Sequence, residues 1–123
     1  MTEWKIPHYK ILVDKDDVKS VSDVIKRKML WAIGPEITKF EKMLASYVGS
    51  KYCLTFNSGT SALHASLIAL KIQEKQEVLV PSFTFIATAN SVRMVNATPK
   101  FVDIENETFG IDPIEIEKNI SKK

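Results

Sequence analysis

Asn57-Ser58-Gly59-Thr60-Ser61-Ala62-Leu63 follows the apolar run Tyr52-Cys53-Leu54-Thr55-Phe56 and opens a series of small and apolar residues that continues to Leu70. The order reads as a strand, a tight polar turn and a buried helix, the unit from which parallel α/β sheets are built. A helix start at Gly59 presents unpaired backbone N–H groups and the positive end of the helix dipole. Such an end binds a phosphate group. Gly59 lets the backbone approach a ligand closely, while Ser58, Thr60 and Ser61 add hydroxyl donors of little bulk. A Ser/Thr N-cap that only ends a strand and starts a helix would use the same residues.

Outward from this turn the chain keeps the same rhythm. Strand Tyr52–Phe56, helix Gly59–Leu70, strand Val78–Val80, helix Thr84–Val95 and strand Lys100–Ile104 follow one another with short connections. Strands alternating with helices of this length imply parallel strands joined by crossovers. Between Val78 and Val102 only Arg93 and Lys100 carry charge, the composition of strands covered on both faces. Asp112-Pro113-Ile114-Glu115 has the form of a capping box with proline at the first helical position. The fold class is therefore α/β: a three-layer, doubly wound arrangement with a mainly parallel sheet. Three strands make a small sheet, and no further strand follows.

Upstream the reading is helical. Val18, Val21, Val24, Ile25 and Met29 recur at helical spacing between Asp16 and Met29, with charges on the other face. Pro35 and Glu36 suit the first turn of a second helix, Ile37, Phe40, Met43, Leu44 and Tyr47 form its apolar stripe, and Gly49 is placed to end it.

Composition narrows the class. The 123 residues have the length of one domain, with 45% hydrophobic and 26% charged residues. The net charge of +2, from 17 basic and 15 acidic residues spread along the chain, gives no nucleic-acid surface. Lys26-Arg27-Lys28 reads as a helix C-terminal turn, where cations suit the dipole. Cys53 has no partner for an internal disulfide and reads as a small hydrophobe within a buried strand. No apolar run is long enough to span a bilayer and no signal peptide is evident, so a cytoplasmic setting is expected, with no membrane partner. His8 and His64 lie in no metal-ligand spacing; His64 reads as a half-buried helix residue.

A second chemical feature follows the strand Val78–Val80. In an open α/β sheet, ligands sit outside the carboxyl ends of the strands. Pro81-Ser82-Phe83-Thr84-Phe85 occupies such a connection, on the same sheet edge as the Gly59 turn. A phosphate-binding helix start beside an aromatic ring is a cradle for a flat phosphorylated cofactor. Phe83 reads as packing the helix against the sheet; Phe85 fits either that role or stacking on a ligand.

Ile33-Gly34-Pro35, Phe40-Glu41, Asn57 to Leu63, Pro81 to Ala89 and Phe101-Val102-Asp103-Ile104 stand together in an order and spacing that resembles the DegT/DnrJ/EryC1/StrS family, pyridoxal-phosphate-dependent sugar aminotransferases of the aspartate aminotransferase fold (type I). The resemblance runs from about Trp31 to Ile120. It implies that Ser58, Gly59, Thr60 and Ser61 hold the phosphate of pyridoxal 5'-phosphate, and that Phe85 stacks on its pyridine ring. It also implies that Gly34 and Pro35 lie near the sugar-nucleotide side of the pocket. Residues 1–50 then form an N-terminal helical segment and residues 51–123 the first part of the cofactor-binding large domain. Two departures concern loop geometry: Gln73-Glu74-Lys75-Gln76 replaces a connection usually rich in glycine, and Asn96 stands where glycine is common.

The same resemblance implies a ping-pong reaction. An amino-acid donor, glutamate, loads the cofactor with an amino group that passes to a keto group on a nucleotide-linked sugar, at a homodimer interface. Transamination requires a Schiff-base lysine to shuttle the α-proton, and a carboxylate against the pyridine nitrogen. The family's lie downstream of the matched motifs, and no lysine here stands in a matching context; Lys118, Lys122 and Lys123 read as a solvated helix end. No catalytic residue and no metal ligand is assigned. The favoured reading is the N-terminal portion of such an aminotransferase, inactive on its own. The alternative is a natural short, non-catalytic paralogue acting as a binding or partner subunit. A nucleotide-binding α/β enzyme would need a glycine-rich fingerprint or Walker pattern that the sequence lacks. A half sheet is expected to expose a strand edge and apolar faces, so that the isolated chain associates.

Overall fold

The computed structural model describes Ile6 and residues 9–120. It divides into two compact units, the first ending at Leu54 and the second beginning at Thr55. His8, Lys122 and Lys123 lie outside the described residues.

The first unit is built on two helices. Helix α1, Lys15–Lys26, begins at a reciprocal cap: the Asp14 carboxylate accepts the amides of Asp16 and Asp17 at 2.8 and 3.0 Å, and the Asp17 carboxylate accepts the Asp14 amide at 3.0 Å. It stops short of the expected Met29 because Lys28 and Leu30 turn left-handed, at φ 60° and 55°. Helix α2, Pro35–Val48, has proline in its first turn. It ends at Gly49, whose φ of 72° is the left-handed conformation that glycine adopts without cost. The apolar stripes expected on both helices are present, but most of their large residues, among them Val21, Ile25, Phe40 and Tyr47, are exposed. Ala45 alone is buried on α2.

In the second unit, helix α3, Gly59–Ala69, leads to strand β1, Glu77–Pro81; helix α4, Ala87–Met94, then crosses to strand β2, Thr98–Val102, and helix α5, Pro113–Asn119, follows. β1 and β2 pair in parallel, with Val80 opposite Phe101. Val80 and Val92 are 1% and 2% exposed and Ala97 is fully buried. With Ala89 they form the core, ringed by Leu67, Ile72, Val78 and Val95. The small residues Ala89 and Ser91 let α4 approach the strands, and the buried Ser91 hydroxyl donates to the Thr88 carbonyl at 2.9 Å; no buried side-chain polar atom among the described residues lacks a partner. Asp112 caps α5 through the Ile114 amide at 2.8 Å, but Glu115 pairs with Lys118 and does not close a capping box.

Three sequence expectations require correction. Tyr52–Phe56 is not a strand: among the described residues the sheet contains only β1 and β2, and a strand exists only where a neighbour completes its ladder. Its apolar run is extended backbone, with Tyr52 and Leu54 exposed and Cys53 half-buried outside any strand. Helix α3 is not buried: none of its residues is fully buried, and it packs chiefly beside α4. The strands are likewise covered incompletely, since Phe101 is exposed and each strand is bonded along one edge. The unusual loops, by contrast, have a conformational explanation. Lys75 and Asn96 are left-handed, at φ 69° and 60°. These are backbone positions where glycine is favoured, and asparagine is tolerated.

The core makes a stability prediction. Val92→Ala removes two fully buried methylene equivalents and leaves a cavity, a loss of about 2 kcal/mol. Val21→Ala, on the exposed stripe of α1, should change stability by less than about 0.5 kcal/mol. Urea unfolding of the two variants measures the difference directly.

Candidate functional site

The start of α3 is held open by its own cap. Ser58 is extended, φ −159°, and its hydroxyl oxygen accepts the Ser61 amide at 3.1 Å. The Ser58 carbonyl accepts the Ala62 amide at 3.1 Å. The Ser61 hydroxyl donates to Asn57 Oδ1 at 2.9 Å, so the 3.0 Å contact between the Ser58 and Ser61 hydroxyls is donated by Ser58. Both serine protons are thus committed within the turn. The amides of Gly59 and Thr60 and the Thr60 hydroxyl meet no acceptor among the described residues. A Cβ built on Gly59 meets nothing within 4 Å, so the space beside this residue is open.

The topology sets where this open end lies. α3 ends at Ala69, residues 70–76 lead to the start of β1 at Glu77, and α3 packs beside α4. In an open α/β sheet, a helix that leads into a strand starts at the edge where that strand ends, which is the edge from which Ser82–Ile86 leads into α4. Phe85 is 75% exposed there. Most of its ring is therefore uncovered by helix or sheet. The expectation for Phe83 is corrected: it is 69% exposed, and its ring meets Phe109 at a centroid distance of 6.0 Å. Helix α4 starts three residues later than expected, at Ala87, because residues 82–84 bend and Ile86 is its N-cap.

Gly34 and Pro35 belong to the first unit and are shaped by Arg27. The Arg27 guanidinium makes two bonds to Glu36, at 2.7 and 3.0 Å, and also donates to the carbonyls of Met29 and Leu30 at 3.1 and 3.0 Å. Gly34 is buried under this clamp. A Cβ there would lie 2.5–2.7 Å from Glu36 Oε2, the Leu30 carbonyl oxygen and Arg27 Nη2. Gly34 is therefore required by the clamp itself, while Pro35 is exposed at the start of α2. Sequence reasoning gave Arg27 only a dipole role and missed Glu36, since nothing in a nine-residue separation marks a pair. It also missed Asn57 as the acceptor for Ser61 and Phe109 as the partner of Phe83.

Lysines capable of nucleophilic chemistry are engaged elsewhere in several cases. Lys100 donates to the Asn119 carbonyl at 2.9 Å, Lys118 pairs with Glu115 at 2.7 Å and Lys19 with Asp23 at 2.6 Å. His64 is half-buried on α3. No group of metal-ligating side chains forms among the described residues, and no helix there is long and apolar enough to cross a membrane.

Solved structures that share this arrangement of elements include aminotransferases, one of them with the cofactor PMP bound. The aminotransferase from Psychrobacter cryohalolentis is 34% identical with a TM-score of 0.84, covering 89% of this chain and 28% of that one. NtdA from Bacillus subtilis, solved with bound cofactor PMP, is 33% identical with a TM-score of 0.78, covering 89% and 26%. The chain belongs to the DegT/DnrJ/EryC1/StrS aminotransferase family, whose model matches residues 12–123. The family is pyridoxal-phosphate-dependent. Among curated relatives, the UDP-2-acetamido-2-deoxy-3-oxo-D-glucuronate aminotransferase of Pseudomonas aeruginosa is 37% identical over 109 residues, 89% of this chain and 30% of that protein. The chain thus spans about 30% of the length of this relative.

The clamp predicts a pH response. The bonds from Arg27 hold the Glu36 carboxyl below its ordinary value of 4.5. A depressed carboxylate contributes stability that is present above the ordinary value and is lost as pH falls through the folded one. Fluorescence of Trp31, inside the clamped loop, should therefore be steady down to about that ordinary value and change as the pH falls further. In Glu36→Gln the response should vanish; a wild-type profile in that variant would refute the clamp.

Proposed function

We propose that this chain supplies the phosphate- and ring-holding part of a pyridoxal-phosphate-dependent aminotransferase site, in a protein that moves an amino group from an amino acid, glutamate, to a keto sugar nucleotide. The observation that carries the reading is the pair of open amides at Gly59 and Thr60, with the exposed Phe85 ring on the same sheet edge. The residues fit the group. The Gly59 and Thr60 amides and the Thr60 hydroxyl donate to phosphate oxygens at the positive end of α3. Ser58 and Ser61 keep the turn in shape through Asn57, and exchange their internal bonds for phosphate contacts only at the expense of the cap. Phe85 lies against the flat ring. When bound, pyridoxal phosphate supplies the electron sink that labilises the α-proton of an amino acid.

No residue of the chain is given the proton-transfer role, because no lysine stands in a context that matches it. Gly34 and Pro35 are proposed to face the sugar-nucleotide side, with the Arg27–Glu36 clamp fixing their backbone. A homodimer is part of the proposal, and the exposed apolar stripes of α1 and α2 support an assembly that covers them.

Pyridoxamine 5'-phosphate, which carries no aldehyde, and inorganic phosphate test the reading by non-covalent binding. Gly59→Ala should weaken both ligands by about ten-fold or more, by placing a methyl before the amides. Its melting point should hold or rise, since alanine is favoured over glycine in a helix by roughly 0.5–1 kcal/mol. Phe85→Leu should weaken pyridoxamine phosphate and leave phosphate unchanged. Undiminished phosphate binding by a folded Gly59→Ala variant would contradict the proposal.

A further inference from the structure

The β2–α5 connection is unusually well fixed for a surface loop. Ile104 and Ile111 form an antiparallel bridge, the Glu105 amide donates to the Gly110 carbonyl at 3.0 Å, and the Asp112 amide donates to the Asp103 carbonyl at 3.0 Å. Inside the loop the Glu105 carboxylate accepts the amides of Glu107 and Thr108 at 2.6 and 2.9 Å, together with the Thr108 hydroxyl. The Gly110 amide donates to the Thr108 hydroxyl oxygen at 3.2 Å. Phe109 is fixed on both sides, in a left-handed conformation at φ 60°. A bulky aromatic is disfavoured there, and such a conformation persists only where its surroundings enforce it.

The ring held in this way meets Phe83 at 6.0 Å with the planes tilted by 54°, within the range of favourable aromatic pairs. The segment it touches needs holding. The Ser82 amide donates to the Val102 carbonyl at 2.8 Å and the Thr88 amide to the Phe85 carbonyl at 3.0 Å. Between them, Phe83 to Ile86 donate no amide to another backbone group. The 3.0 Å contact between the Thr84 and Thr88 hydroxyls and the Phe83–Phe109 pair are the side-chain contacts that tie this stretch down. Phe83, Phe85 and Phe109 are all largely exposed, so burial does not fix them.

We propose that Phe109 is a positioning residue for Phe85: through its contact with Phe83 it fixes the β1–α4 loop, and so the attitude of the Phe85 ring toward the flat ring of a phosphorylated cofactor. The proposal rests on the phosphate-cradle reading and adds a specific residue to it. The ring partner of Phe109 is Phe83, so Phe109 is assigned to the ring side of the site.

The test uses the whole chain, with Phe109→Asn, which accepts the left-handed backbone but removes the ring, and Phe109→Tyr, which keeps the ring. Phe109→Asn should weaken pyridoxamine 5'-phosphate about three- to ten-fold, the range one aromatic contact carries. Inorganic phosphate binding should not change. Hydrogen exchange at the Ser82 and Thr88 amides should quicken in Phe109→Asn, and Phe109→Tyr should restore wild-type behaviour on every count. Equal weakening of both ligands would show a general structural role and overturn the proposal, as would wild-type exchange and affinity in Phe109→Asn. If the wild-type chain binds neither ligand, the cradle reading fails, and the exchange rates alone decide whether Phe109 holds the loop.

Discussion

Two parallel strands cannot be joined by a hairpin, and that constraint organises the second unit. α4 must carry the chain back from the end of β1 to the start of β2, and it does so with its Ala89 and Val92 packed against Val80 and Ala97. Because α3 packs beside α4 and leads into β1, the two helices begin at one edge of the sheet. The open amides of Gly59 and Thr60 and the loop bearing Phe85 follow from that placement. A few small buried residues thus decide where the polar chemistry can sit.

The cradle itself is an example of a local network fixing what remains free. Asn57, Ser58 and Ser61 satisfy one another, and the N–H groups they leave open are those beside the one residue without a side chain. On the proposed reading, an anion meeting this turn finds donors already aligned, with little reorganisation needed. The Arg27–Glu36 clamp does the opposite at Gly34: there the absence of a side chain serves close packing of the clamp and leaves no open space.

Much of this was legible in the sequence, for identifiable reasons. Proline at the start of α2 and α5, Gly49 at the end of α2 and Asp112 before α5 are local signals, and local structure followed them. The parallel α/β class was legible from the alternation of apolar strands with helices. Tyr52–Phe56 misled because an apolar run reports strand propensity and not whether a partner lies alongside. Burial of α3 was overestimated on similar grounds, since apolar composition states what a helix can cover, and neighbours decide what is covered. Within the candidate site, Ser58 and Gly59 were readable from the turn. Arg27 with Glu36 and Phe83 with Phe109 were not, because each pair joins residues whose separation carries no periodic signal.

The central claim is that the start of α3 is a phosphate cradle built on two free amides. It is tested most directly by amide NMR of the chain titrated with pyridoxamine 5'-phosphate. The account predicts saturable shifts largest at Gly59 and Thr60, with the same amides responding to inorganic phosphate. Shifts confined to lysine-rich surfaces such as Lys26–Lys28, with Gly59 and Thr60 unmoved, would contradict it.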